Sequence, residues 1–387
     1  MIDTSILNKH FVERFGTEPA ALFAAPGRIN LIGEHTDYNG GFVFPGAIEQ
    51  CIACAIRPNG SREIRAYSID LNDEDRFSLD NDEGPRASHF RYVFGIAREM
   101  MKLGVKVEGF DTVFAGDVPL GAGMSSSAAL ESCFAFALNE LFGTDSLSLM
   151  DMAKAGQATE HNYVGVMCGI MDQFASMHGR KGQLMRLDCR SGEFAYFPWQ
   201  PNGYRLVLIN SCVKHELVGS PYNERRLSCE RVVAAINAKH PELHAQTLRD
   251  VNWSHLGEVK PTVDAIDMQR ATFVMGEKDR VLAVCEALEA GDYEKVGTMM
   301  YETHRGLSKE YEVSCDELDF LNDIAKECGV TGSRIMGGGF GGCTINLVRN
   351  ERYDDFVATA CARFEERYHK KPVVIPVVIG DGARRLQ

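Results

Sequence analysis

The chain has 387 residues, of which 45% are hydrophobic and 25% charged, an ordinary balance for a globular protein of two or three domains. Its formal net charge of −13 argues against binding to nucleic acid or to an anionic membrane, because both need basic patches. A ligand that carries phosphate is not excluded, since backbone amides can bind one locally.

The first predicted element is a surface helix near the N-terminus. Leu7, Phe11 and Phe15 recur at i, i+4 and i+8 among charged residues, which is the spacing of an amphipathic helix and not the apolar run of a secretory signal. Further along, no apolar run approaches the roughly 20 residues that a membrane-spanning helix requires. We therefore expect no membrane partner.

The polar segment, residues 27–38, carries the most informative pattern in the chain. It places Arg28, Glu34, His35 and Asp37 on one short stretch of backbone that also contains two glycines. Four hydrogen-bonding side chains so close together make poor core material and suit a small ligand covered in hydroxyl groups. Metal ligation by Glu-His-x-Asp is a second interpretation, but nothing else nearby completes a metal site.

The twelve cysteines are scattered and form no double pair of the metal-binding type. Residues 51–54 have the Cys-x-x-Cys spacing of a zinc or redox motif, but no second pair accompanies them and they belong to an apolar run over 51–56. That run predicts a buried strand. Many free thiols and the lack of a secretory segment predict a reducing, cytoplasmic location.

Strand-like and helix-like runs alternate along the chain, without an internal repeat. The predicted strands are 41–43, 51–56, 63–67, 111–115, 183–187, 204–210, 343–348 and 373–379. The predicted helices are 91–103, 126–142, 149–162, 223–239, 280–290, 293–309, 316–328 and 351–369. This pattern predicts an α+β or mixed α/β fold and leaves the topology open. The polar stretch 198–203, with its Pro and Gly, predicts a boundary between domains 1–198 and 199–387.

The glycine–serine loop, residues 117–127, follows a predicted strand and opens a predicted helix. Its glycines let backbone amides approach a ligand, and the helix N-terminus supplies free N–H groups and a positive dipole end. No Gly-Lys-Ser/Thr is present, so this is not a Walker P-loop. A single serine at a helix start is usually only a cap, whereas the whole array predicts phosphate binding. The candidate residues are Gly121, Ala122, Gly123, Met124, Ser125, Ser126 and Ser127.

Two acids after this loop have more than one interpretation from the residues alone. Glu160 lies near the end of a predicted helix, where most glutamates are solvated. Asp172 lies in the otherwise apolar and small segment 168–174, where a lone acid can simply cap the next helix. The pattern around each acid does not separate a functional role from these structural ones.

A third glycine cluster, residues 337–342, contains the Gly-x-Gly-x-x-Gly fingerprint of dinucleotide-binding proteins. A strand-like run follows it, where a Rossmann unit needs a helix. A protein-kinase loop is also excluded, because neither His-Arg-Asp nor Asp-Phe-Gly occurs in the chain. The cluster is therefore either a tight hairpin without a ligand or a loop that supports a phosphate site.

Together these segments resemble galactokinases, within the wider GHMP family of small-molecule kinases. The resemblance covers residues 25–46, 117–131, 156–176, 219–226 and 332–343. It implies an α+β fold in which the N-terminal domain has a mixed sheet with helices on one side. It also implies a ferredoxin-like C-terminal domain and an active site between the two. The last strand, near 373–379, is expected to return to the N-terminal domain.

The resemblance implies an activity as well: ATP-dependent phosphorylation of D-galactose at its anomeric C1 hydroxyl, giving galactose 1-phosphate and ADP, the first committed step of galactose catabolism. ATP and Mg²⁺ are the implied cofactors, and galactose is the implied small-molecule partner. No nucleic acid or membrane is expected to bind. The sequence does not reveal the oligomeric state, and a monomer is expected.

Residue by residue, the resemblance makes Asp172 the base, or the group that positions the sugar hydroxyl, with Arg28 beside it. Arg28 is expected to keep that carboxylate ionised and to offer charge to the transferring phosphoryl group. Ser127 and Glu160 are the implied Mg²⁺ ligands. The implied sugar-binding residues are Glu34, His35, Thr36, Asp37, Gly169, Asp172 and Tyr222.

The nucleotide is expected on residues 121–127, with a further contact at Ser68. Many galactokinases have a tryptophan shortly before a Tyr-Val pair, where it packs on adenine. Here the matching residues 88–93 read Ser-His-Phe-Arg-Tyr-Val, without a tryptophan. His89 or Phe90 is therefore the candidate stacking partner of adenine, unless the base is held loosely.

Two other functions remain open on the same motifs. A related sugar 1-kinase, such as an N-acetylgalactosamine kinase, needs extra room near the 2-hydroxyl, which the sequence does not show directly. A galactose sensor on the same fold is the non-enzyme alternative, and the yeast sensors of this kind lack residues after the serine run. Here residues 125–129 are uninterrupted and Arg28 and Asp172 are both present, which favours an enzyme.

Overall fold

Helices and strands interleave along the chain, which a computed structural model describes at residues 3–143, 147–213 and 221–386. The strands are β1 (Ala21–Asn30), β2 (Phe42–Val43), β3 (Pro45–Pro58), β4 (Glu63–Ser68), β5 (Asp73–Ser78), β6 (Phe110–Gly116), β7 (Gln183–Asp188), β8 (Phe194–Pro198), β9 (Tyr204–Asn210), β10 (Gly332–Ile335), β11 (Cys343–Arg349), β12 (Val373–Pro376) and β13 (Arg384–Arg385). The α-helices are α1 (Thr4–Phe15), α2 (Ser88–Lys102), α3 (Ser126–Phe142), α4 (Leu149–Thr159), α5 (Met171–His178), α6 (Tyr222–Lys239), α7 (Trp253–Val259), α8 (Ala265–Glu289), α9 (Tyr293–Lys309), α10 (Asp316–Glu327) and α11 (Tyr353–Tyr368). The predicted α+β class is confirmed.

Six strands form a mixed sheet in the order β13-β1-β3-β6-β4-β5, with β4 and β6 parallel and the other neighbours antiparallel. Phe23 and Ile52 pack on one face with α2, α3 and α4. Leu22 packs on the opposite face with Leu7 and Phe11 of α1. The expectation of helices on one side is therefore incomplete, because α1 covers the second face.

The two cysteines of the Cys-x-x-Cys pattern lie within β3, as the apolar run predicts. Cys51 belongs to the core under α1, whereas Cys54 belongs to the core under α2, α3 and α4. Because residues three apart on a strand face opposite sides of a sheet, these two thiols cannot ligate the same metal ion. Their role is core packing.

A second, antiparallel sheet has the order β10-β11-β9-β12, with α9 against one face and α10 and α11 against the other. Of the segment 373–379, which was expected to return to the N-terminal domain, β12 pairs with β9 of this second sheet. The chain returns only afterwards, through a bridge between Ile379 and Ile48 and through the pairing of β13 with β1. The division near residue 199, between β8 and β9, stays a prediction.

Several elements that position the site were missed or misplaced by pattern alone. All ten residues of β1 are buried, so this strand shows no alternation of polar and apolar residues. The short helix α5 was not predicted, and α8 begins at Ala265, well before the expected residue 280. Within the described residues, no helix is long and apolar enough to cross a bilayer.

Candidate active site

A cavity of about 520 Å³ opens where the polar segment, the glycine–serine loop, the start of α5 and the glycine hairpin (residues 336–342) meet. The glycine hairpin joins β10 to β11. Most of the predicted site residues line this cavity: Arg28, Glu34, His35, Asp37, Gly121, Ala122, Gly123, Met124, Ser125, Ser126, Ser127, Glu160, Gly169, Asp172 and Tyr222. The fold thus brings segments that are far apart in the sequence to one place.

Arg28 and Asp172 form a bidentate ion pair on the cavity wall. Arg28 Nε donates to Asp172 Oδ1 and Nη2 donates to Oδ2, each at a distance of 2.8 Å. Nη1 donates to the carbonyl of Gly123. The register of β1 against β3 shifts between Pro26 and Arg28, and a bulge of this kind redirects the side chain that follows it. Burial lowers the pKa of Arg28, but the negative charges of Asp172 and then of Glu34 outweigh this effect and raise the pKa above its ordinary value. The guanidinium is therefore a fixed positive charge in the cavity.

Ser125 does not act as the helix cap that its position suggests. It precedes α3 with a φ of 60°, and its side chain makes no capping hydrogen bond. Its hydroxyl donates instead to Asp172 Oδ2. The carboxylate of Asp172 consequently accepts three hydrogen bonds, and none of them caps α5, whose N-cap residue is Ile170.

Glu160 is buried and faces Ser127, in contrast to a solvated helix-end glutamate. The predicted helix 149–162 stops as an α-helix at Thr159, and Glu160 continues it with helical backbone angles into one π turn over Glu160–Val164. Burial raises the pKa of Glu160 to about 7, the Ser127 hydrogen bond opposes that rise, and Asp172 adds to it. Two oxygen-bearing side chains thus meet beside the glycine–serine loop.

Glu34 is held from the opposite half of the chain. Its Oε1 accepts 3.0 Å hydrogen bonds from both Nη1 and Nη2 of Arg334, and a 2.9 Å bond from the backbone N–H of Gly337. Glu277 holds the adjoining backbone, because its Oε1 accepts from the N–H groups of Gly33 and Glu34. The position of Glu34 therefore depends on β10, the glycine hairpin and α8.

His35 and Tyr222 form an aromatic corner of the cavity together with Tyr38. The ring of His35 lies 5.5 Å from that of Tyr222, centroid to centroid, and its Nδ1 is 2.8 Å from the hydroxyl of Tyr38. Tyr38 in turn is hydrogen-bonded to the hydroxyl of Tyr311 over 2.8 Å. This relay fixes the orientation of the imidazole.

Asp37 packs directly over Gly169. A Cβ atom placed on Gly169 would lie 2.0 Å from Asp37 Oδ2, so only glycine fits there. Burial, and then the neighbouring Asp172, raise the pKa of Asp37 to about 7. This acid is therefore within reach of titration near neutral pH.

Two predicted residues lie away from this cavity, and one quoted segment is partly outside the described chain. The hydroxyl of Thr36 donates to the carbonyls of Gly33 and Phe42, and its side chain is not among the described residues that line the cavity. We correct its role to holding the turn. Ser68 lines an adjoining cavity of about 460 Å³. Gly219 and Ser220, in the segment 219–226, lie outside the described residues.

Of the two candidate stacking partners of adenine, His89 and Phe90, one lines the adjoining cavity and the other does not. His89 and Tyr92 line it, with Leu71 and Leu120 also on its wall. Phe90 is fully buried and packs in the core under α2, so it faces away from this space. Among the two alternatives, only His89 is placed to contact a ligand there.

Sequence reasoning missed three residues that organise the site. Arg334 and Tyr38 lie inside segments of resemblance, but no role was assigned to them. Glu277 lies in the interior of α8 beside apolar residues, with Arg280 one turn further on. A charged residue inside a buried strand or an apolar helix face is the signal that points to such roles, because it must have a partner.

Comparisons with known proteins point in one direction. The galactokinase galactose-binding signature matches residues 9–58, the GHMP kinases N terminal domain matches residues 91–180, and the GHMP kinases C terminal model matches residues 285–366. The galactokinase of Chloroflexus aggregans is 39% identical over 369 residues, which cover 95% of this chain and 94% of that protein.

Two further matches extend over nearly all of the chain. The galactokinase of Roseiflexus sp. is 37% identical over 387 residues, covering 100% of this chain and 98% of that protein. The solved structure of Lactococcus lactis galactokinase complexed with galactose superposes with a TM-score of 0.92 at 31% identity. That superposition covers 99% of this chain and 100% of the other.

Proposed function

The chain belongs to the galactokinase family of the GHMP kinases, and from that premise we propose that it transfers the γ-phosphoryl group of ATP to the anomeric C1 hydroxyl of D-galactose. The products are galactose 1-phosphate and ADP. The observation that carries the proposal is the Arg28–Asp172 pair, which joins the galactose-binding signature to the glycine–serine loop. A different sugar 1-kinase is not favoured, because the full-length relatives are galactokinases.

The glycine–serine loop is proposed to hold the triphosphate. Its backbone amides and the N-terminus of α3 offer donors and a positive dipole end to the phosphates. The glycine hairpin supports this loop, since a Cβ on Gly123 would lie 2.9 Å from the carbonyl of Met336. Ser68 and His89 are proposed to contact the nucleoside from the adjoining cavity.

Galactose is proposed to lie against Glu34, His35, Asp37, Gly169 and Tyr222. Carboxylates accept strong hydrogen bonds from sugar hydroxyls, and an ionised acid suits the axial 4-hydroxyl of galactose. The side chains of Glu34, His35 and Tyr222 are buried, which fixes their directions before the sugar arrives. Such a site favours one sugar, because a misplaced hydroxyl leaves a buried polar group unpaired.

The transfer step needs one bond made and one broken. The C1 oxygen forms a bond to the γ-phosphorus, the bond from that phosphorus to the β–γ bridging oxygen breaks, and ADP leaves. Asp172 orients the C1 hydroxyl and receives its proton, while Arg28 stabilises the charge on the transferring phosphoryl group. Because the transition state of phosphoryl transfer is loose, positioning and electrostatics supply most of the rate enhancement.

Ser127 and Glu160 are the residues proposed to hold Mg²⁺. Their oxygen atoms are hard donors, which Mg²⁺ prefers, and the buried carboxylate of Glu160 gains from a cation that favours its ionised form. The residues therefore fit this ion. Among the described residues no group of three or more His, Cys, Asp or Glu side chains is placed to hold a metal, so phosphate oxygens and water are left to complete the shell. When bound, Mg²⁺ neutralises charge on the phosphates.

Cytoplasmic location and a monomeric state are further proposals. The described cysteines are all free thiols, which suits a reducing compartment. Sedimentation velocity at two protein concentrations tests the monomeric state.

A panel of sugars assayed with ATP and Mg²⁺ tests the proposed function. D-Galactose should have the highest kcat/KM among galactose, glucose and N-acetylgalactosamine, and the product should be phosphorylated at C1, as phosphorus NMR can establish. An assay without Mg²⁺ is the control for the metal. Faster turnover of glucose or N-acetylgalactosamine would show that the substrate is a different sugar, and no turnover of any sugar would favour a sensor.

A further inference from the structure

Arg334 of β10 is completely buried, and all five of its N–H groups are used. Nε donates to the carbonyl of Leu31 over 2.9 Å, and Nη2 donates to the carbonyl of Asn30 and to Glu34 Oε1. Nη1 donates to Glu34 Oε1 and to the carbonyl of Ile335. Four of these five bonds reach the polar segment, about 300 residues away in the sequence.

The two oxygens of Glu34 are in unequal surroundings. Oε1 accepts three hydrogen bonds, from Nη1 and Nη2 of Arg334 and from the N–H of Gly337. Oε2 accepts none from the described residues, although Glu34 lines the cavity. One oxygen is thus saturated by the protein, and the other is left for a ligand.

We propose that Arg334 is a positioning residue for sugar recognition, which fixes Glu34 so that Oε2 alone is presented to a donor hydroxyl of the substrate. The inference rests on the proposed function, because it takes the ligand of Glu34 to be galactose. Through Gly337 the same clamp ties the polar segment to the glycine hairpin, so the sugar side and the phosphate side of the cavity share one buried anchor.

A buried arginine is costly to desolvate, so its retention needs a reason beyond stability. Burying an ion pair often stabilises no more than apolar residues of the same volume, but it fixes one geometry. A lysine cannot replace this geometry, because its three donors sit on one nitrogen atom and cannot reach the four acceptor atoms that the guanidinium contacts. Glu277 holds the backbone at Gly33 and Glu34 independently, so the turn itself does not depend on Arg334 alone.

Kinetics of R334K, E34Q and the double variant test the proposal. In E34Q the amide oxygen should keep the place of Oε1, because Arg334 and Gly337 only donate, and the amide nitrogen then presents donors where Oε2 accepted. We expect each single variant to raise the galactose KM by about tenfold or more with a much smaller change in the KM for ATP. In the double variant the galactose KM should rise by less than the product of the two single-variant increases. Without Arg334 the amide of the E34Q side chain can rotate and present its oxygen to the sugar.

R270K is the matched control, since Arg270 is a buried arginine whose partners, Ser228 and Glu312, are outside the cavity lining. It should lower the melting temperature without raising the galactose KM. If R334K instead behaves as R270K does, lowering the melting temperature and the apparent kcat while leaving the galactose KM unchanged, Arg334 is merely structural and the proposal is overturned.

Sugar analogues decide the question should R334K fail to fold. The monodeoxygalactose whose affinity, relative to that of galactose, falls more in the wild type than in E34Q identifies the hydroxyl at Oε2. The fluorinated sugar at that carbon accepts but cannot donate, so it should gain over the deoxy sugar in E34Q and not in the wild type. If E34Q binds the deoxy and the fluorinated sugar equally well, the proposed fixed orientation of the side chain at position 34 is wrong. Absence of galactose phosphorylation by the wild type would instead contradict the proposed function.

Discussion

At Asp172 three donors meet one carboxylate, two from Arg28 and one from Ser125. Such an arrangement holds the carboxylate plane in one orientation, which suits a group that must align a hydroxyl for attack. It also explains why a segment of small apolar residues contains a single acid: the acid is paired across 144 residues and does not cap the helix.

We expect D172N to lower kcat by about 10²–10⁴-fold, the usual cost of losing a general base. The amide keeps the shape of the side chain but removes its charge. The fold should persist with a lower melting temperature, because the buried guanidinium of Arg28 loses its ionic partner. Steady-state kinetics measure kcat, and thermal unfolding measures the melting temperature. A kcat within threefold of the wild type would contradict the role of Asp172 as the general base.

R28K should lower kcat by about 10–100-fold and R28A by more, because each lost charge-assisted contact in the transition state costs about a factor of ten. Galactose affinity should change little, since the sugar is proposed to rest on Glu34, His35, Asp37 and Tyr222. Calorimetric Kd values for galactose compared with kcat separate the two effects. If the galactose Kd rises by the expected 10–100-fold or more in these variants while kcat stays unchanged, Arg28 is a sugar-binding residue.

Asp37 makes the stability of the free protein depend on pH. Its pKa rises from 3.8 to about 7 on folding, so the folded chain holds a proton that the unfolded chain has released. That contribution is full below pH 3.8 and is lost as the pH rises through 7. The free energy of unfolding of the wild type should fall, relative to D37N, by up to about 1.4 kcal/mol per pH unit between pH 5 and 7.

Urea unfolding of the wild type and D37N at pH 5, 6, 7 and 8 measures this difference. Other titrating groups are common to both proteins, so their contributions cancel in the comparison. A difference between the two proteins that is constant across this range would show that Asp37 is ionised throughout.

At the scale of secondary-structure elements, the start of α3 and the end of α4 bring Ser127 and Glu160 together. Neither element alone predicts the pairing. Glu160 keeps helical backbone angles, φ −57° and ψ −45°, so its side chain follows the repeat of α4, and the π turn shifts only the residues after it. The pair therefore depends on how α3 and α4 pack against each other, which the periodicity of either helix does not reveal.

E160Q and S127A should each raise the Mg²⁺ concentration for half-maximal activity by at least about tenfold, while the galactose KM changes less. Both side chains are proposed metal ligands. S126A is the matched control, because Ser126 lines the same cavity and is not a proposed ligand. An unchanged Mg²⁺ midpoint in both E160Q and S127A would place the metal elsewhere.

At the scale of the whole molecule, the C-terminal residues secure the helix that carries Asp172. The N–H of Gly382 donates to the carbonyl of Gly179, the residue after α5, and the N–H of Ala383 donates to the carbonyl of Ser176 within α5. β13 then pairs with β1, which carries Arg28. The C-terminal residues therefore support, from outside the cavity, the two elements that carry the Arg28–Asp172 pair.

Deletion of residues 381–387 should lower the free energy of unfolding by about 2–4 kcal/mol, because it removes several buried backbone hydrogen bonds of about 1 kcal/mol each. Turnover should fall as well, since α5 loses its anchor. Deletion of residues 386–387 is the control, because it leaves the bonds of Gly382 and Ala383 in place. Equal stability of the two truncated proteins would show that these contacts contribute nothing.

Much of the site was predictable because its chemistry is concentrated in short segments. The polar segment and the glycine–serine loop each carry their functional residues within a few positions, so residue type and spacing suffice to indicate a polyhydroxylated ligand and a phosphate. The strands and helices with clear periodicity were also predictable. β1 was missed because burial on both faces removes the alternation that marks a strand.

The sequence by itself determined the class of fold, the two candidate ligand-binding segments and, through resemblance, the family. Only the tertiary structure decided that Ser125 bonds Asp172, that Glu160 turns inward to Ser127, that Thr36 holds a turn, and that Arg334 fixes Glu34. Each of these is a contact between residues of distant segments or the direction of one side chain. Such contacts leave no local periodicity, because they depend on how separate elements pack and not on the spacing within any one of them.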